Sequence, residues 1–161
     1  MNGATGDRKS RFSDQDYRDI LAFRDQLRRF LAWSEIQCRA AGLTPSQHQL
    51  LLAVRGHPAP EPPTIGEIAE HLQLRHHSAV GLIDRAETAG LIRRVHTSRD
   101  RRVVRILLEP AGEDALEKLT ALHVTELAVL AEASAALRAP AQRAPAATEG
   151  SGEVSGAREG I

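Results

Sequence analysis

Between Leu91 and Leu108 the chain leaves the helical habit that governs most of its length. The runs LIRRVHT and VVRILL are rich in β-branched residues and leucine, and they flank the polar stretch Ser98-Arg99-Asp100-Arg101-Arg102. That pattern predicts a β-hairpin with a charged tip. The fold class is therefore mainly α with a small β-hairpin. A length of 161 residues suits one compact domain, and 42% apolar with 26% charged residues is ordinary for a soluble globular chain. Aromatics make up only 3%, so the core must be aliphatic.

Residues 1–12 are polar and read as a disordered N-terminus. Ser13 looks like an N-cap, with Asp14 and Asp16 in the first turn where the helix dipole favours carboxylates. The helix runs to Ala41, and Gly42 stops it. Ile20, Phe23, Leu27, Phe30, Leu31 and Cys38 share one face, while Trp33 and Ile36 lie off it. Apolar residues on two sides predict two neighbours, its own domain and a second subunit. Thr44-Pro45-Ser46-Gln47 opens the next helix with a capping box and Pro at N1, and Leu50, Leu51 and Val54 form its buried side. The stretch GHPAPEPP, residues 56–63, is a rigid connection.

A second capping box, Thr64 to Glu67, opens a short helix carrying Ile68, Ala69 and Leu72. The following helix extends from about His76 to Ala89 and is stopped by Gly90. Its buried stripe is Ala79, Leu82, Ile83 and Ala86. Pro110 starts a last long helix to about Arg138, with Leu116, Leu119, Leu127, Leu130 and Ser134 on its buried face. The glycines read as helix stops or as part of the tail. After Ala139 the Pro/Ala/Gly/Ser composition cannot bury enough surface to fold. The expected division is thus 1–12, a domain at 13–138 and a disordered tail at 139–161. Within the domain, a core at 44–109 sits between long helices at 13–42 and 110–138.

Short helix, turn, helix, glycine and basic hairpin, in that order, spell a winged helix-turn-helix. A helix that enters a major groove needs one apolar face for its own domain and one small or polar face for base edges and phosphates. Opposite the buried stripe of the His76 helix stand His77, Gly81 and Asp84, flanked by Ser78, Val80 and Arg85. Val80 suits a thymine methyl. Gly81 costs roughly 1 kcal/mol of helix propensity against Ala, and it either permits close backbone approach to DNA or is merely tolerated. From Leu91 to Arg105 there are six arginines and one acid, Asp100, a local excess of five positive charges. Arginine at a narrow tip suits the minor groove, and Asp100 reads as a clamp on the tip. The competing reading is a solvated charged turn without a partner.

The first residues lack the apolar core of a signal peptide, and no run approaches the roughly 18 apolar residues of a membrane span. A cytoplasmic protein without membrane contact is expected. Cys38 is the single cysteine. It is either a peroxide-sensing thiol or a buried structural one, and its place on an apolar helix face favours the second. Seven histidines invite a metal-sensor reading. However, His71, His76 and His77 bracket the helix-turn-helix, and His48 and His123 suit the core, so no metal and no cofactor are expected. No nucleophile–base pair, phosphate loop or paired carboxylates stand out, and no enzyme is expected.

The stretch TIGEIAEHLQLRHHSAVGLIDRAETAGLIRRVHTSRDRRVVRILLEPAG resembles the core of the MarR family of winged-helix regulators. IDRAETAGLIRR and DRRVVRILLEPAG are its most diagnostic pieces, LTPSQHQLLLAV resembles the second helix, and the likeness spans about residues 13–138. By that resemblance Arg75, His76, His77, Ser78, Gly81 and Arg85 align with the recognition helix. Asp100 and Arg102 match the wing's Asp-x-Arg pattern, with Arg99 and Arg101 reaching toward the groove. The family also implies a homodimer whose first and last helices interlock, here through Ile20, Leu27, Trp33, Ile36, Leu119, Leu127 and Leu130. It implies double-stranded DNA as a pseudo-palindromic operator, repression as the default, and release by a small, often phenolic or lipophilic, effector.

Two departures stand out. The family's further C-terminal dimer helix is replaced by a disordered-looking tail, which puts more of the interface on Trp33, Ile36 and Leu137. His76 and His77 also replace commoner small residues. The rival reading is a winged-helix protein-interaction module that has lost DNA binding, against which the wing arginines argue.

Overall fold

The computed structural model describes residues 11–96 and 103–143. The order is α1 (Asp14–Ala40), α2 (Pro45–Arg55), α3 (Ile65–His71), α4 (His76–Thr88), β1 (Ile92–His96), β2 (Val104–Leu108) and α5 (Pro110–Ser134). A 3₁₀ turn, Ala135–Leu137, then leads into α6 (Arg138–Arg143). Mainly helical with one antiparallel hairpin is the expected class. Three helix starts are closed by reciprocal capping boxes, Ser13 with Asp16, Thr44 with Gln47 and Thr64 with Glu67. The Thr64 backbone N–H, then its hydroxyl, holds the Glu67 carboxyl below the usual carboxylate range. Gly42 and Gly90 take positive φ just past α1 and α4, the left-handed geometry that ends a helix.

The core gathers around α2. Leu50 and Leu51 meet Ile68 of α3, Ile83 of α4, Ile92 of β1, Ile106 of β2 and Leu119 of α5, all fully buried. In the hairpin Ile92 pairs with Leu108 and Arg94 with Ile106. The proline-rich connection does more than connect. Its Pro63 carbonyl accepts the Ile106 N–H at 2.9 Å, and Thr64 bridges Arg105, so the segment lays a third edge along β2.

Gly112 is no helix stop. It lies inside α5, where a Cβ would stand 2.1 Å from the Leu91 carbonyl oxygen. The same carbonyl accepts the Glu109 N–H at 3.0 Å. This glycine lets the first turn of α5 sit directly on the backbone that leaves α4.

Two sequence expectations need correction. Helical backbone continues to Arg143 rather than ending near Arg138, so it enters the stretch 139–161 that composition assigned to a disordered tail. Alanines at 135, 136, 139 and 141 favour helix locally, and residues 144–161 lie outside the described set. In addition, Pro110–Leu137 is long and apolar enough by length and composition to cross a membrane, with little of it buried. No continuous apolar run marks it in the sequence, because Thr120, His123, Thr125, Glu126 and Glu132 interrupt it. Together with α1, α5 leaves Tyr17, Leu21, Leu31, Ile36, Leu122, Val124, Leu127 and Val129 exposed. The two long helices pack on each other within the chain and still present uncovered apolar surface.

Candidate nucleic-acid interface

The turn between α3 and α4 is tight because Leu72 and Leu74 return their N–H groups to Ile68 and Ala69 at 2.9 and 2.8 Å. Gln73 between them takes φ 54°, a left-handed conformation that costs a non-glycine residue roughly 1–2 kcal/mol. Ala79, Leu82, Ile83 and Ala86 are buried and seat α4 on α2 and α3. The opposite side of α4 is free. Arg75 is its N-cap residue and is exposed, as are His76, His77 and Arg85, while Ser78 and Gly81 are half-buried. A Cβ on Gly81 would meet only Arg85 Nη1, at an ordinary 3.5 Å. Nothing in the chain's own packing requires glycine there. Unlike α1, α2 and α3, α4 has no side-chain cap on its first turn.

The charge of the hairpin is less available than its sequence suggests. Arg94 is bonded to both Asp84 and Glu87 of α4. Partial burial works against its charge, but the two carboxylates outweigh that and hold the guanidinium above its ordinary value. Arg105 is tied to Glu61 and to the Pro62 carbonyl, and Arg93 to Glu109. Three of the six arginines are thus neutralised by acids from outside the hairpin. The other three, Arg99, Arg101 and Arg102, lie with Asp100 outside the described residues. Asp84, counted among the reading-face residues, is held by Arg94.

The residues expected at a subunit interface separate into two groups. Ile20, Leu27, Ile36 and Leu127 are exposed, and Trp33 and Leu130 are half-buried. Leu119 is a correction. Only 1% of it is exposed, because α5 packs its first half into the chain's own core, so it is not available to a second subunit. Cys38 is fully buried, and burial pushes its thiol up. His48 and His123 are likewise packed inside the chain. No group of three or more metal-ligating side chains comes together among the described residues.

A MarR-family domain model matches residues 41–103, from the end of α1 to the far side of the hairpin tip. A crystal structure of a MarR family transcription regulator superposes with TM-score 0.64 at 27% identity, covering 80% of this chain and 85% of that one. Over residues 41–103 the chain is similar to the MarR family. A relative, the HTH-type transcriptional repressor MdtR of Bacillus subtilis (strain 168), is 31% identical over 80 residues, half of each chain. The chain spans half or less of the length of the curated relatives it matches. Staphylococcus aureus MepR F27L, solved bound to an oligodeoxyribonucleotide, shares the fold with TM-score 0.59 at 21% identity, over 70% of this chain and 80% of that one.

Within this fold, three devices are hidden from the sequence. They are the Asp84–Arg94–Glu87 cluster, the Gly112 seat on Leu91 and the third edge at Pro63. Arg94 and Leu91 stand in GLIRR, Gly112 in EPAG, Asp84 and Glu87 in IDRAE and Pro63 in GHPAPEPP, but nothing in their spacing tells which partners they meet.

Proposed function

We infer that the chain is a DNA-binding transcription regulator that acts in the cytoplasm as a homodimer and represses from a pseudo-palindromic operator, rather than an enzyme. The observation that carries this reading is α4. It is seated by four buried residues and presents Arg75, His76, His77, Ser78, Gly81 and Arg85 on its free side. Its uncapped first turn leaves backbone N–H groups for a phosphate, the usual use of a helix N-terminus that no side chain closes. Arg99, Arg101 and Arg102, with Asp100 between them, carry the wing's contact with the minor groove. The MepR complex with an oligodeoxyribonucleotide and the repressor MdtR support the same use of the fold.

Dimerisation follows from the apolar surface that α1 and α5 leave uncovered at Ile20, Leu27, Ile36 and Leu127, beside Trp33 and Leu130. Two copies related by a twofold axis would set two α4 helices about 34–36 Å apart, in successive major grooves. A small phenolic or lipophilic effector fits the cleft of about 590 Å³ between α2, β2 and α5. Leu108 and Leu116 supply its apolar lining, and Arg55, Glu113 and Glu117 its charge. Because the cleft lies between a dimer helix and the reading head, an occupant that prefers one separation of the heads shifts DNA affinity.

The test is binding to duplex DNA from the protein's own upstream region across a salt series. Specific binding with a steep salt dependence is expected, and Arg85→Ala or Arg101→Ala should each flatten the slope by about one unit. Weak binding of equal strength to every sequence, unchanged in both variants, would instead favour a protein-interaction module.

A further inference from the structure

His48 of α2 and His123 of α5 stack inside the protein with ring centroids 4.8 Å apart, 2% and 6% exposed. The hydrogen bonds of His123 fix the orientation of its ring. His123 Nδ1 lies 2.7 Å from the Leu119 carbonyl, which only accepts, so Nδ1 carries the hydrogen. Nε2 then accepts from the Ser34 hydroxyl of α1, at 2.7 Å. His48 Nε2 is buried with no partner. A proton added there would have no acceptor and would face a second imidazole.

The surroundings offer no relief. From α1 the pair meets the rings of Phe30 and Trp33 and the Ser34 hydroxyl, and Cys38, hydrogen-bonded to Ser34, is the titratable group of that helix linked to them. Glu35 acts on Cys38. Neither imidazole is ion-paired to a carboxylate among the described residues. Burial, then the neighbouring His123, holds His48 below its ordinary value of 6.5.

We propose that the His48–His123 stack is a proton-operated latch that joins α2, the base of the reading head, to the long helices α1 and α5. With His48 neutral the latch is closed. A proton on His48 is accommodated only when α2 draws away from α5 and the imidazole reaches water. The linkage sign follows from the lowered folded value. The closed state binds fewer protons than the open one, so closure is complete above about 6.5 and is lost as pH falls below it toward the folded value. The consequence for DNA, a reading head that loosens on acidification, rests on the function proposed above. The latch itself does not, and its test needs no DNA.

The experiment is amide hydrogen exchange of the full chain between pH 7.5 and 5.5, corrected for the intrinsic rate, with the emission of Trp33 followed in parallel. Trp33 is the single tryptophan and sits 5.1 Å from His123, so it reports whether the surrounding core stays folded. In the wild type, protection of α2 against α5 should fall by up to about tenfold per pH unit below 6.5, the dependence of an opening that takes up one proton. Trp33 emission should keep its folded wavelength throughout. In His48→Phe, and in the smaller His48→Asn should the phenyl ring prevent folding, protection should be independent of pH over that range. The same pH dependence in either folded variant overturns the latch, as does its absence in the wild type. A Trp33 shift to the unfolded wavelength that coincides with the exchange also overturns it, because acid would then be unfolding the whole chain.

Discussion

Arg94 on β1 is bonded to Asp84 on α4, one helical turn beyond Gly81 on the free side of that helix. With Glu87 as its second partner, this guanidinium joins the hairpin to the reading helix and keeps a carboxylate away from any phosphate nearby. Arg94→Ala should cost about 1 kcal/mol, modest because both acids are partly exposed, which lowers Tm by roughly 2–4 °C. Its effect on DNA affinity should be larger than its effect on stability, since Asp84 is released to face the duplex. Adding Asp84→Asn should restore most of that affinity in a fluorescence-anisotropy titration. A double variant as weak as the single one would show that the clamp, not the freed charge, matters.

Two glycines on helices should respond in opposite ways. Gly112→Ala drives a methyl group into the Leu91 carbonyl, and urea unfolding should show a loss of about 2–3 kcal/mol, the scale of overpacking against backbone. Gly81→Ala meets open space and an ordinary contact with Arg85. It should stabilise by up to about 1 kcal/mol through helix propensity while weakening DNA binding. An alanine at 81 that leaves affinity intact would mean the backbone there never approaches the duplex.

Variants on α1 and α5 should separate association from folding. Leu127→Glu and Ile36→Glu place charge on exposed apolar surface, and sedimentation should show monomers that melt close to the temperature at which the wild-type monomer would. Leu119→Ala empties a core position and should cost about 2–5 kcal/mol with the mass of the assembly unchanged at low temperature. Equal effects of all three variants on association would place Leu119 back at the interface.

Cys38 should behave as an inert thiol. It is fully buried, and burial raises the thiol above its ordinary value, so little thiolate forms at pH 8. A bulky disulfide reagent should modify it only at the rate of unfolding, and peroxide should leave DNA binding unchanged. Rapid labelling of the native protein would reopen the sensor reading.

What the sequence disclosed and what it hid divide along the distance over which each interaction acts. Thr44 with Gln47, Thr64 with Glu67, and the positive-φ glycines 42 and 90 are settled within four residues, and their types name the helix ends directly. The hairpin's β-branched runs and the stripe at Ala79, Leu82, Ile83 and Ala86 are legible for the same reason. Arg105 was not, because its partner Glu61 lies 44 residues earlier, and a charge sum over a window counts such an arginine as free. Leu119 and Leu127 occupy one stripe of one helix, and only the extent of the reading head decides that the first is covered and the second left bare. Gly112 looked like any glycine near a helix start until Leu91 was seen against it.

The Pro63 carbonyl and Thr64 along β2 also bear on mechanics. A load carried by β2 is delivered to the entry of α3 through Pro63 and Thr64, with rigid prolines on the far side that have little slack to take it up. Wing and helix-turn-helix would therefore tilt as a single lever, and a small rotation where α5 begins would be magnified at the far end.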